Sequence, residues 1–325
     1  MLKLSIQDGF SEIPACWRTG GDEQQRLKQR YRVKFSPCSF VLQLDALVMK
    51  SGINLYYDTR FCDVIKQGNR ISAVMVENKS GRSALACCTV VDASGDADVC
   101  DRAEEPTVSL HTNVRAGWFY FYDGSDVKLV PLSGPYDPYG QQIPQGGRGY
   151  AGDRAEDVTA QVVDTRMLTM EKLEALRREQ DANTIYPVSL PTIPSFRMTR
   201  RLVGRVELKE KDDRRYFEDM VGMAGDWRQA GPIYYLPLRC LTAVNTVNLI
   251  TAGRCISSGE TCWDVTRAIP VCAVTGEAAG TAAALACQHT DGDLGKLSVP
   301  HLQTQLKEQR VIIEKRFASR GNDVP

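Results

Sequence analysis

The stretch from Val247 to Ala286 constrains the fold more than any other part of the chain. It begins with an apolar, β-branched run, Val247 to Thr251, short enough for a buried parallel strand. Gly253 permits a sharp turn, and Arg254 sets a cation at the strand's carboxyl end, where open α/β sheets bind their ligands. A polar loop follows, and Pro270 then suits the first turn of a helix, where its missing N–H costs nothing. One face of that helix carries almost no side chains: Ala273, Gly276, Ala279, Gly280 and Ala283. Such a face admits close backbone approach. The helix's amino end offers unpaired N–H groups and a positive dipole, suited to an anion or an electron-rich oxygen.

A second patterned region covers residues 53–96. Apolar and polar residues alternate there, broken by turn signals at Gln67–Gly68–Asn69 and Lys79–Ser80–Gly81. The pattern predicts a strand, a three-stranded antiparallel meander, then a buried strand over Thr89–Asp92 ending in the turn Ala93–Ser94–Gly95–Asp96. Upstream, Phe40, Val41, Leu44, Leu47 and Val48 follow helical spacing, with Gly52 as the stop. GDEQQRLKQRYR reads as a solvated helix or loop after the Gly20–Gly21 break.

The segments NLITAGRCIS, TRAIPVCAVTGEAAGTAAALA, VVDASGD and IPSFRMTRRLVG occur in one chain. Together they resemble FAD-dependent oxidoreductases with the glutathione-reductase-type FAD fold, distantly related to fumarate reductase flavoproteins. The resemblance implies FAD as cofactor, and flavin-mediated hydride or electron transfer to or from a small, anionic substrate. It implies that Phe61 faces the adenine and that Asp92, Ala93, Ser94, Gly95 and Asp96 pass close to the dinucleotide. Ser94 stands where the family has Thr and keeps the hydroxyl. It also assigns Gly253, Arg254, Ile269, Val271 and Gly276 to the flavin. Arg197, Arg200 and Arg201 are the expected substrate-anion side chains, since guanidinium forks suit carboxylates. Salt bridges to Asp212, Asp213 or Glu207 are an equally open use of them. Arg254 or Arg267 balances charge on the reduced ring. Trp263 and Asp264 are possible ring neighbours, and Cys255 and Cys262 lie in the loop expected to approach it, as a redox pair or as packing thiols.

The fold expected is α/β: an incomplete FAD/NAD(P)-binding three-layer parallel-sheet domain with an antiparallel β-meander, plus an inserted α+β substrate domain. The divisions are 1–105 and 239–290 for the FAD-binding domain, 106–238 for the inserted cap, and 291–325 for a closing amphipathic helix. Within the insert, Trp118–Tyr122 reads as an aromatic strand and Val158–Gln180 as a helix. Gly147-Arg-Gly149-Tyr-Ala-Gly152 spells GxGxxG, but no apolar strand precedes it, so the match is accidental. The dinucleotide cradle proper, a βαβ unit around that fingerprint, is expected to be missing upstream of Ile53. Either the sequence is then a truncated fragment of such an oxidoreductase, or the cradle has been lost, or a partner chain or a homo-oligomer contact supplies it. A nonenzymatic nucleotide- or protein-binding module is the alternative.

Bulk properties narrow the field. Forty basic and forty acidic residues in 325 give no net pull toward nucleic acid or an anionic membrane. No apolar run was expected to reach a membrane span of roughly twenty residues. The three histidines and eleven cysteines complete no zinc or iron–sulfur spacing, so no metal is expected. Reduced, mostly buried thiols point to a cytoplasmic location.

Overall fold

The structure is a computed structural model and describes residues 14–18, 20–28, 37–114, 117–132, 148–180, 183–191, 193–229 and 231–318. The Gly147 end of the GxGxxG string, and residues 133–147 generally, lie outside those residues. So does the end of the GDEQQRLKQRYR segment, whose beginning forms helix α1, Glu23–Lys28.

Two strands form the centre. Strand β4 (Val90–Asp92) runs parallel to β12 (Leu249–Thr251), with Val90 opposite Leu249 and Asp92 opposite Thr251. Residues 241–243 cover the far edge of β12: Thr251 N–H donates to Leu241 O and Ala243 N–H to Leu249 O. Among the described residues β4 pairs with β12 alone. Helix α6 (Ile269–His289) packs on this pair through Ala278, Ala279, Ala282 and Ala286, whose small size lets the backbones approach. By length and composition α6 could cross a bilayer, contrary to the expectation from sequence. It is instead a core helix, with Ala278, Ala279, Ala282 and Ala286 fully buried.

The meander forms as expected: β1 (Arg60–Gln67), β2 (Arg70–Asn78) and β3 (Gly81–Ala86), in the order β1-β2-β3. Ile71, Ala73 and Val76 are the buried residues of β2, and Ile71 joins Val99, Cys100 and Leu249 in one core cluster. Residues 53–57, expected as a strand, are not one, and Ile53, Leu55, Tyr56 and Tyr57 are exposed. A strand needs a neighbour to pair with, and the described residues offer none there. Helix α2 (Pro37–Lys50) forms where the spacing placed it, but Val41, Leu44 and Leu47 face solvent.

The chain next makes α3 (Asp98–Arg102) and β5 (Thr107–Ser109), which pairs antiparallel with β9 (Arg200–Leu202). Between them lies a sheet of β7 (Val127–Pro131), β6 (Trp118–Tyr122) and β8 (Tyr186–Ser189), with β6 central. Helix α4 (Ala155–Glu179) closes this sheet, burying Leu173 with Phe119, Phe121 and Ile185. Its first turn carries Glu156 and Asp157 and its last Arg177 and Arg178, matching the helix dipole. The hairpin β10 (Met220–Gly225) and β11 (Ile233–Pro237) packs instead against α6 and joins Val271 in a common cluster. The polar loop expected after Gly253 is in part helical, as α5 (Glu260–Thr266). The closing helix α7 (Val299–Glu308) starts at Ser298, whose hydroxyl caps His301 N–H, and buries Leu302 and Leu306.

Candidate functional site

The carboxyl ends of β4 and β12 deliver two turns to one place. After β4 the chain turns at Gly95, with φ +80°. The Asp92 carboxylate, fully buried, organises that turn: Oδ1 accepts from Ser94 N–H (3.1 Å) and Ser94 Oγ (2.7 Å). Oδ2 accepts from Val99 N–H (3.0 Å) and Cys100 N–H (3.1 Å). One carboxylate therefore both closes the turn and holds the first amides of α3, a capping role played from the strand end.

After β12 the chain turns at Gly253, φ +77°, a conformation that favours glycine. Its N–H donates to Thr275 Oγ1 at 2.9 Å, which ties the turn to α6. Arg254 then bridges the two turns. Its Nε donates to Gly95 O (2.6 Å), Nη1 to Phe196 O (3.0 Å) and Nη2 to Asp96 Oδ1 (2.6 Å). A Cβ on Gly95 would sit 2.8 Å from Arg254 Nε, so the bridge also needs that glycine.

Of the sequence-predicted arginines, Arg200, Arg201 and Arg267, like Arg254, are each paired with a carboxylate. Arg200 Nη2 binds Asp98 Oδ1 (2.9 Å), Nη1 reaches Asp101 (3.2 Å), and Nε donates to Asp96 O (3.1 Å). Burial, with the charge of Asp96, pushes the Asp98 carboxyl above the ordinary aspartate range, and Arg200 only partly offsets this. Arg201 is buried, pairs with Glu207, and lies over the Trp263 ring at 5.4 Å. Arg267 pairs with Asp264 and lies over Trp227 at 5.8 Å. Asp212 and Asp213, the other partners considered from sequence, serve Arg215 and the Ile233 N–H. The backbone of Arg197 is fixed through its N–H to Asn113 Oδ1 at 3.3 Å.

Beside these residues lies a cavity of about 370 Å³ lined by Phe61, Asp96, Asp98, Asp153, Arg154 and Arg200. Phe61 and Asp96, assigned separately to the dinucleotide, thus share one wall. Asp98 and Asp101 have only the SGDADVCD run as a sequence signal, and Asp153 lies in a separate segment with none; charge runs of that kind usually face solvent.

At the amino end of α6, Ala268 provides no side-chain cap, and Pro270 occupies the first turn. Cys272 is the first residue whose N–H finds a backbone partner, Ala268 O at 2.9 Å. Among the described residues, the Ile269 and Val271 N–H groups take none, and the Ile269 side chain is exposed. The Gly253 turn lies against this helix end, its Cβ position 3.6 Å from Cys272 Sγ, and the Cys272 thiol donates to Arg267 O at 3.4 Å. Burial raises that thiol's pKa while Arg254 and Arg267 pull it down. Gly276, about one turn beyond Cys272, has no atom within 4 Å of where its Cβ would be. Cys255 and Cys262 do not form a pair. They lie in different core clusters, and burial pushes each thiol up to about 12, so they are packing residues.

These parts fit the ends of a dinucleotide cofactor. Open amides at α6 suit an electron-rich carbonyl oxygen, and the glycine turns at 95 and 253 suit close backbone approach. A glycine-rich strand–turn–helix cradle is not among the described residues.

Parallel strands that carry two glycine turns and an uncapped helix to one crevice define an α/β nucleotide-cofactor-binding protein. The chain belongs to the FAD dependent oxidoreductase family, whose pattern matches residues 5–111 and 148–306, and FAD is its cofactor. No curated protein matches it. Among solved structures it is similar to the myxobacterial chondrochloren halogenase CndH, a variant of FAD-dependent halogenases. Identity there is 13%, over 85% of this chain and 56% of that one, with a TM-score of 0.38. It is also similar to a geranylgeranyl bacteriochlorophyll reductase-like protein (Ta0516) from Thermoplasma acidophilum. That identity is 11%, over 94% and 74% of the two chains, with a TM-score of 0.39. The chain thus spans little more than half the length of the halogenase.

Proposed function

We propose that the protein is a flavin-dependent oxidoreductase acting on a small, anionic substrate in the cytoplasm. One observation carries this reading: the uncapped amino end of α6 lies beside Gly253 and Arg254, at the carboxyl end of the parallel strands. FAD, when bound, accepts or donates the hydride or electrons. Ile269 and Val271 would offer N–H groups to the ring, Gly253 the close backbone, and Gly276 an unobstructed face. Phe61, Ala93 and Asp96 would border the dinucleotide. Arg254 and Arg267 would balance negative charge, each already oriented by a carboxylate. Arg197, Arg200 and Arg201 would set the substrate's charge preference, the last two in competition with Asp98 and Glu207. The β6–β7–β8 sheet with α4 would be the inserted cap.

The first experiment is the visible absorbance of the purified chain after incubation with FAD and gel filtration. Flavin absorbance that travels with the protein, and bleaches with a small carboxylate substrate, supports the proposal. A second reading, a nucleotide- or protein-binding module without turnover, is favoured by β4, which has no second pairing strand among the described residues. On that reading a second copy or a partner chain supplies the neighbouring strand and the cradle. Sedimentation with and without FAD separates the two: flavin retained only in a larger species, with no turnover, favours the module.

A further inference from the structure

Most cysteines of this chain pack in the interior or stand alone, but two meet at the surface. Cys88 lies in the segment leading into β4, and Cys287 in the last turn of α6; both are exposed. Both sulfurs converge on the end of α6: Thr89, the residue after Cys88, touches Cys287 Sγ, and Cys88 Sγ borders Gly292, whose N–H donates to Ala286 O at 2.9 Å. The surroundings hold them there. Asn248 Nδ2 donates to Cys88 O at 2.9 Å, which fixes the backbone of Cys88. Thr89 Oγ1 sits 3.0 Å from Cys287 Sγ and also donates to Ala283 O (3.3 Å), so it pins the other sulfur against its own helix. Gly292 closes α6 at φ +76°, and a Cβ there would lie 2.9 Å from Cys88 Sγ and 2.5 Å from Cys88 O. Only glycine leaves room for Cys88 to reach the helix end. The Arg70 guanidinium borders the same point, 3.0 Å from that Cβ position.

We propose that Cys88 and Cys287 are a modification site, a dithiol that a peroxide oxidises to a disulfide joining the end of α6 to the entry of β4. The Cys287 thiolate attacks one peroxide oxygen, the O–O bond breaks, and Cys287 becomes a sulfenic acid. With hydrogen peroxide as oxidant, the departing hydroxide takes a proton to become water. The Cys88 sulfur then attacks the sulfenic sulfur, losing its proton as the S–O bond breaks and a second water leaves. Two thiols and one hydrogen peroxide give one disulfide and two waters; the sulfurs lose two electrons and the peroxide gains them. The hydrogen bond to Cys287 is the largest cause that lifts the Cys88 thiol to about 11, with Arg70 pulling the other way. Cys88 therefore keeps its proton at neutral pH, which suits it to the resolving role.

The link would join the far ends of the two elements that build the cofactor crevice. It would close a long loop of chain and so raise thermal stability.

The test is to treat the reduced full chain with equimolar hydrogen peroxide and map it by non-reducing peptide mass spectrometry, alongside a free-thiol count and a thermal melt. Expected are a Cys88–Cys287 cross-linked peptide, loss of two free thiols, and a melting midpoint raised by about 5 °C, all reversed by dithiothreitol. Cys88→Ser and Cys287→Ser should each abolish the cross-link and the shift, while Cys87→Ser keeps both. Stable sulfinic acid on Cys287 with Cys88 still free would overturn the proposal. So would a Cys87–Cys287 link, or a cross-link found only between chains.

Discussion

Helices α2 and α6 begin from similar sequence signals and end in opposite environments. Both show apolar periodicity and both stop at a clear signal. Helix α6 buries its small-residue face on β4 and β12, whereas on α2 Val41 is 55% and Leu47 50% exposed. Periodicity decides that a helix forms; it does not say what covers it. Helix α6 is covered by an apolar cluster whose strand ends are fixed by polar bonds, and among the described residues none of these bonds involves α2. The largest effects of substitution should therefore fall at the strand ends and the smallest on α2.

Asp92→Ala should give the largest loss. It strands the N–H groups of Ser94, Val99 and Cys100 together with the Ser94 hydroxyl. At about 1–3 kcal/mol for each donor left buried and unpaired, the total exceeds about 3 kcal/mol. Urea unfolding measures it, and a loss under about 1 kcal/mol would mean that the turn stands without its carboxylate.

Much of this was readable in the sequence, and the part that was not has a physical reason. The meander, β4, β12 and α6 follow from local alternation, turn residues and small-residue spacing, all of which act within a few residues. The glycines at 95 and 253 were legible because few other residues adopt their backbone conformation. The partners of Arg254 were not, since Gly95 O and Phe196 O lie 159 and 58 residues away. Glu105 is similar: its buried carboxylate accepts N–H bonds from Val244, Asn245 and Thr246, and nothing near it in sequence announces that. The strand expected at 53–57 fails for the converse reason, because local pattern cannot supply a pairing neighbour.

A pair of glycine substitutions sharpens the contrast within α6 itself. A Cβ on Gly222 of β10 would lie 2.3 Å from Val274 Cγ1, so Gly222→Ala should force the hairpin off the helix and cost about 1–3 kcal/mol. Gly280, on the helix's exposed side, has no atom within 4 Å of its Cβ position. Gly280→Ala should stabilise by about 0.5–1 kcal/mol through helix propensity alone. Thermal melts of the two variants should move in opposite directions; a destabilising Gly280→Ala would reveal a partner on that face.

Glu207 provides a pH-dependent member of the series. Burial pushes its carboxyl up, but Lys209 and Arg201 outweigh that and hold it below the usual glutamate range. A carboxyl depressed in the folded state stabilises above its unfolded pKa, about 4.3, and that stability is lost as pH falls through the folded value. Wild type should therefore lose stability more steeply than Glu207→Gln between about pH 4.5 and 3, and exceed the variant at pH 7. Urea midpoints at pH 7 and pH 3.5 test it; parallel acid limbs would show that the ion pair adds nothing.

The smallest effect belongs to α2. A fully buried Val or Leu contributes about 1.5–3 kcal/mol, and its loss leaves a cavity as well. On α2 neither term applies, because the side chains already meet water in this chain alone. Val41→Ser with Leu47→Ser should shift the urea midpoint by the equivalent of less than about 0.5 kcal/mol. The same variant also asks what happens at higher protein concentration. If wild type gains stability as concentration rises and the variant does not, mass action identifies the cover as a second copy of the chain. If neither depends on concentration, α2 is a helix held by its own hydrogen bonds and its Gly52 stop. Its periodicity then marks a face that this chain leaves in solvent.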